Sequence, residues 1–69
     1  MSQDIREKLA KNVKKYRLKR HLKREELSLA LGYDNSYISK LEKSRINVTI
    51  DKIAQIATYF KTEPYELLK

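Results

Sequence analysis

Side chains that can hydrogen-bond without bulk are concentrated in one short stretch. Asn35, Ser36, Ser39, Lys40 and Lys43 fall within about 140° of arc when successive residues are turned by about 100°, the helical step. Tyr37, Ile38 and Leu41 fall opposite. A helix here is small, polar and cationic on one edge and apolar on the other. That edge suits the major groove of double-stranded DNA, about 12 Å wide, which admits a helix only if its side chains do not strike the bases. Asn bonds adenine through two hydrogen bonds, Lys reaches guanine acceptors, and Ser serves either. An ordinary solvated helix face has the same composition, so spacing alone leaves both readings open.

Other chemistries find little support. There is no cysteine and one histidine, which excludes a thiolate or histidine-based metal centre. No nucleophile stands with a base and no acid/base constellation is visible, so an enzyme is not expected. Neither is a cofactor or a small-molecule ligand. A chain of 69 residues buries only roughly 60% of the surface it exposes unfolded, which leaves room for one small core and no enclosed cavity. No run of 18 apolar residues exists, which excludes a transmembrane helix. No charged-then-apolar leader opens the sequence. A cytoplasmic, nucleoid-associated protein with no membrane partner is the expectation.

Charge is unevenly distributed. The whole chain carries +7, from 16 Lys+Arg against 9 Asp+Glu. Residues 1–31 hold 10 basic and 4 acidic side chains, residues 32–48 hold 3 and 2, and residues 49–69 hold 3 and 3. A basic front suits a polyanion, and a neutral rear suits a different partner.

The elements that must position the polar edge follow from apolar spacing. One Gly and one Pro in a Leu/Ile/Lys/Glu-rich chain favour helices throughout. Five are expected. The first runs from about Gln3 to Arg20, with Ile5, Leu9, Val13 and Tyr16 in one quarter of its circumference. The second covers about Arg24–Leu31 and stops at Gly32, which accepts the left-handed conformation. Asp34 caps the third, about Asn35–Lys43. Thr49 caps the fourth, which reaches about Phe60 with Ile50, Ile53, Ile56, Ala57 and Phe60 as one stripe. Pro64 fits the first turn of a short fifth. The tight Gly32-Tyr33-Asp34 link makes helices two and three a candidate helix-turn-helix. The fold class is all-α, a compact five-helix unit spanning 1–69 as a single domain.

Residues 9–68 resemble the lambda-repressor-like, Cro/Xre-type helix-turn-helix family. The resemblance rests on Glu25-Glu26-Leu27, Leu31-Gly32, Ser36-Tyr37-Ile38-Ser39-Lys40-Leu41-Glu42 and Asn47-Val48-Thr49-Ile50. It implies a five-helix, sequence-specific regulator of transcription, repressor or activator, that acts as a homodimer on a palindromic DNA operator. Asp34 to Ser39, with Arg45, Asn47, Thr49 and Ile50, is also similar to the controller proteins of restriction–modification systems.

The resemblance assigns base reading to Asn35, Ser36, Ser39 and Lys40. Phosphate contacts fall to Arg24, at the start of helix two, and to Lys43, Ser44, Arg45 and Asn47 in the loop after helix three. Tyr37 divides between core packing and a phosphate at the rim. Asn47 has a rival role in fixing its loop. Arg17 and Glu42 match an arginine–glutamate pair between helices one and three, which fixes the angle of helix three. Lys23 stands where a Ser or Thr cap is usual, at a cost of about 1 kcal/mol. Glu25 and Glu26 offset part of this through the helix dipole. Ser28 replaces a small Ala and bonds back to a carbonyl of its own helix. His21 and Lys61 replace turn glycines. Tyr59, Tyr65 and Leu68 are surplus apolar and aromatic residues that either form a dimer surface or simply close the small core, while Leu18 and Leu29 look exposed without an assigned partner.

Two rival classes remain. An antitoxin-like protein-partner module usually carries an extra segment, and the five helices take up almost every residue. RNA readers usually show aromatic platforms or glycine-rich loops, which are absent. Membrane binding would need the apolar arc of helix one, which the core requires.

Overall fold

The computed structural model describes residues 4–69. Four α-helices follow in order: α1 (Ile5–Lys19), α2 (Arg24–Ala30), α3 (Tyr37–Glu42) and α4 (Ile50–Tyr59). A 3-10 turn, Pro64–Leu67, closes the chain, and no strand occurs among the described residues. That turn stands where a fifth α-helix was expected. Four residues are too few to establish an i→i−4 ladder, and the segment instead makes the i→i−3 bonds Glu66 N to Glu63 O and Leu68 N to Tyr65 O.

Each α-helix begins with a distinct solution to its orphan N–H groups. Asp4 accepts from Arg6 N at 2.9 Å. The expected start at Gln3 lies outside the described residues. Lysine at the α2 cap position has no acceptor, but the Glu26 carboxylate reaches back to Lys23 N at 2.7 Å. The compensation expected from the helix dipole is therefore delivered by a direct hydrogen bond. Thr49 Oγ1 accepts from Lys52 N at 3.2 Å and opens α4.

Every helix ends in the same way. The first residue beyond the cap has positive φ: His21 (57°), Gly32 (87°), Ser44 (58°) and Lys61 (57°). In each case two crossed hydrogen bonds close the end, as in His21 N to Leu18 O with Leu22 N to Arg17 O. The pairs Gly32/Tyr33, Ser44/Arg45 and Lys61/Thr62 repeat this pattern. A Cβ on Gly32 would meet nothing within 4 Å, so glycine serves the backbone there rather than a close contact. The other three positions hold the left-handed conformation with side chains that disfavour it, at about 1–2 kcal/mol each.

The core joins Leu9, Ala10 and Val13 of α1, Leu27 and Leu31 around α2, and Ile38 and Leu41 of α3. Ile56, Ala57, Phe60 and Leu67 complete it from the rear. Tyr16 stacks on Phe60 with centroids 5.4 Å apart, and its hydroxyl meets Thr62 Oγ1 at 3.2 Å. Two residues placed on apolar arcs by spacing do not reach this core. Ile5 is 56% exposed and Ile50 is 83% exposed. Both occupy the first turn of their helix, which projects past the packed layer.

Candidate nucleic-acid interface

The polar edge starts before α3 does. Asn35 and Ser36 form a turn, and the helix proper begins at Tyr37 with Ser36 in the cap position. The expected helix start at Asn35, capped by Asp34, is therefore two residues too early. The carboxylate of Asp34 still organises the turn, accepting from Ser36 N at 2.9 Å and Ser36 Oγ at 2.7 Å. These two bonds, the hydroxyl first, hold its pKa below the ordinary aspartate value. They also commit the Ser36 hydroxyl proton to Asp34. Asn35 and Lys40 are exposed and Ser39 is half-buried, while Ile38 and Leu41 are buried beneath them.

Polar bonds fix how this helix is presented. Arg17 Nε donates to Glu42 Oε2 at 2.7 Å, and its NH2 donates to Oε1 at 3.2 Å. The third arm, NH1, donates to Leu22 O at 2.7 Å. Both side chains of this pair are only 7% exposed. One guanidinium therefore ties the end of α1, the α1–α2 link and the end of α3. Arg24 completes the group, with Nε 3.8 Å from Glu42 Oε1 and its side chain half-exposed at the start of α2.

Ser28 makes a second tie. Its hydroxyl donates to Arg24 O at 2.8 Å, the expected bond within α2. It also accepts from Ile38 N at 3.0 Å, satisfying a first-turn donor of α3. This cross-helix bond was not visible in the sequence. A Ser in place of a small residue was the available signal.

The loop after α3 leaves Lys43 and Arg45 exposed, with Ser44 half-buried at the left-handed position. Asn47 is exposed, and its Oδ1 accepts from Arg6 NH1 at 3.1 Å. Arg6 is also paired with Asp4 at 3.1 Å. Arg6 is thus a side chain of this region that spacing did not point to. Its bond spans 41 positions of sequence.

Tyr37 lies in a polar–aromatic cluster. Its ring centroid is 4.3 Å from that of Tyr33, and Lys52 Nζ stands 5.3 Å from it and 5.2 Å from Tyr33. Tyr33 donates to Gln55, whose amide nitrogen in turn donates to Leu31 O at 2.9 Å. The Tyr37 hydroxyl is covered and finds no hydrogen-bond partner among the described residues. Burial, and then the neighbouring Tyr33, push its pKa up. In this conformation the hydroxyl faces the protein rather than a phosphate at the rim.

The expected dimer residues are divided. Tyr65 is 62% exposed. Tyr59 and Leu68 are half-buried and pack against the core. Tyr59 sits edge-on to Phe60 at 5.2 Å, under the Arg20 guanidinium at 5.7 Å. Leu18 and Leu29 are both exposed. Among the described residues no helix is long and apolar enough to cross a membrane.

Residues 13–67 match a helix-turn-helix family model. The chain is similar to a hypothetical transcription factor of Neisseria meningitidis serogroup B, 33% identical over 66 residues. The alignment covers 96% of this chain and 62% of that protein, so the chain spans less than two thirds of the relative's length. A crystal structure of the Neisseria factor superposes with a TM-score of 0.91 over 97% of this chain and 77% of that one. Control protein C.SmaI of Serratia marcescens is 35% identical over 65 residues, covering 94% of this chain and 77% of that protein. The restriction–modification controller protein C.AhdI from Aeromonas hydrophila superposes with a TM-score of 0.80 at 31% identity. That match covers 90% of this chain and 94% of the controller's.

Proposed function

The chain belongs to the helix-turn-helix family of Cro/Xre type, and on that premise we propose that it is a sequence-specific, double-stranded-DNA-binding regulator of transcription. The observation that carries this is the presentation of α3. Its inner edge, Ile38 and Leu41, is buried while Asn35 and Lys40 stand free outside. Asn35, Ser36, Ser39 and Lys40 read bases, with Ser36 acting as an acceptor because its proton is committed to Asp34. Arg24, Lys43, Ser44, Arg45 and Asn47 contact phosphates. Tyr37 joins them only through a side-chain rotation that uncovers its hydroxyl. Arg17 and Glu42 set the angle of α3.

Residues 1–69 form one half-site reader, and pairing supplies the other half. Tyr65, flanked by Tyr59 and Leu68, is the proposed contact between copies. A two-fold pair places its two α3 helices about 34 Å apart, one turn of B-DNA, on a palindromic operator. The protein binds rather than catalyses, uses no cofactor, and acts where the DNA is, in the cytoplasm. Within the family, similarity to C.SmaI and C.AhdI supports the narrower role of a restriction–modification controller.

The test is a gel shift with the DNA flanking the protein's own gene, across salt. Tighter binding to that DNA than to random duplex is expected. Each neutralised phosphate contributes a log–log slope near −0.9. Equal affinity for both DNAs removes specific regulation. Sedimentation at micromolar concentration checks the pairing, and a monomer both free and on DNA removes it.

A further inference from the structure

The basic front of the sequence does not all reach the interface described above. Lys11, Lys14 and Lys15 line a shallow groove of about 520 Å³ on α1, together with Asn12, Leu18 and Lys69. On the helical wheel Lys11 and Lys15 lie about 120° and 160° from Arg17, the residue that faces α3, and Lys14 borders them at about 60° from Arg17. The charge of Lys11 and Lys15 therefore points away from the reading edge, with Lys14 at the margin of that face. These three lysines are exposed, and none has an ion-pair partner among the described residues. The carboxylates nearby are Glu7, one turn earlier on the same side, and Glu66, which is occupied by Lys69 at 3.1 Å.

We propose that this α1 face is a second DNA-contacting surface, which holds the phosphate backbone of another duplex segment while α3 reads the first. The inference rests on the DNA-binding reading above. Charge complementarity selects a polyanion. The composition selects a backbone over a protein: protein interfaces are depleted of lysine and anchored by aromatic or arginine side chains, and this groove offers lysines and a single Leu. Lysine is a flexible point charge, which suits phosphate contacts that carry no sequence information. Asn12 Nδ2 donates to Leu67 O at 2.9 Å, which anchors its amide to the chain's end and leaves ammonium groups as the groove's dominant polar feature.

The test uses the full chain and the variant Lys11→Gln/Lys14→Gln/Lys15→Gln, with circular dichroism confirming the fold. An immobilised duplex from the gene's own flank is loaded with protein, then offered a labelled random-sequence duplex. Wild type captures the second duplex in a salt-sensitive way. The triple variant holds the first duplex within about twofold and loses capture at least about tenfold, with the slope for random duplex reduced by up to about 2.7. The complementary variant Asn35→Ala/Lys40→Ala loses preference for the flank DNA. Undiminished capture by the triple variant overturns the proposal. So does parallel loss of both duplexes, or displacement of the second duplex by single-stranded RNA at equal phosphate. If wild type shows no preference for flank DNA yet still captures a second duplex that the triple variant does not, sequence-specific regulation fails while the second DNA-contacting surface stands; without that capture both fail.

Discussion

The front and rear of the molecule hold their helices by different forces. In front, α3 is fixed by directional bonds: the forked Arg17–Glu42 pair, the Ser28 hydroxyl under Ile38 N, and the Asp34 carboxylate on Ser36. At the rear, α4 is held chiefly by Ile56, Ala57 and Phe60 in the apolar core, with Tyr16 stacked on Phe60, and Gln55 donating to Leu31 O adds a directional tie to the end of α2. Apolar burial is strong but non-directional. It holds a helix down without setting its rotation sharply. A helix whose side chains must meet base edges needs its angle fixed, and hydrogen bonds weaken steeply when that angle changes. The proposed reading task of α3 accounts for the buried polar bonds of Arg17, Glu42 and Ser28 in front, where α4 relies more on apolar side chains.

Two substitutions test this contrast with the largest effects. Glu42→Ala leaves the Arg17 charge buried and unpaired, and should cost about 3–5 kcal/mol of stability in urea unfolding. DNA affinity should fall with it. Because that loss approaches the whole stability of a small domain, the double variant Arg17→Met/Glu42→Leu is the sharper probe. Well-packed apolar replacements are often neutral or stabilising, so this variant should fold and still bind DNA poorly. If it binds like wild type, the pair is not what orients α3. At the rear, Ile56→Ala should cost about 2–5 kcal/mol while affinity per folded molecule stays unchanged.

Ser28→Ala sits between these cases. It removes the acceptor for Ile38 N and should cost about 1–3 kcal/mol. The loss of DNA affinity should exceed that of an equally destabilised rear variant. Equal losses at equal stability would show that Ser28 merely packs.

Helix ends give a smaller, stabilising comparison. Ser44→Gly and Lys61→Gly each relieve a left-handed residue, in the front and the rear respectively. Relief of about 1–2 kcal/mol, less the entropy that glycine loses, about 0.5–1 kcal/mol, leaves a gain of at most about 1.5 kcal/mol in Tm-derived stability. Lys61→Gly should leave DNA binding alone. Ser44→Gly should weaken it, because the loop that carries Lys43 and Arg45 gains freedom.

What the sequence made legible follows the same division. Periodicity placed the apolar edge of α3 and most of the core, because burial leaves a repeating trace. It overextended the apolar stripes to Ile5 and Ile50, since a helix can be longer than the layer it packs on. Pro64 marked a helical first turn, but Pro64–Leu67 has length for a single 3-10 turn rather than a fifth α-helix. The Arg17–Glu42 contact came from resemblance, not from spacing. Ser28 to Ile38 and Arg6 to Asn47 left no periodic trace, because a single polar residue has no period and its partner is set by tertiary geometry. Helix stops were only partly legible: Gly32 and His21 announced theirs, but Ser44 looks like any loop serine.

The smallest effect separates the two regions by charge alone. The front turn is organised by a carboxylate, Asp34, and the rear helix by a hydroxyl, Thr49. Asp34 has its folded pKa below the ordinary aspartate value, chiefly through the Ser36 hydrogen bonds. A group depressed in this way supports the fold above its unfolded pKa, and that support is lost as pH falls through the folded value. Acidification below about 3.8 should therefore loosen the turn before α3 and leave the α4 cap in place. The amide shifts of Ser36 and Lys52 in a two-dimensional NMR titration read the two caps separately. Ser36 should move with an acid midpoint and Lys52 should not. Asp34→Asn keeps an acceptor without the titration, and should flatten the Ser36 curve. If Ser36 still titrates in that variant, another carboxylate governs the front, and the link between the Asp34 charge and the presentation of Asn35 is broken.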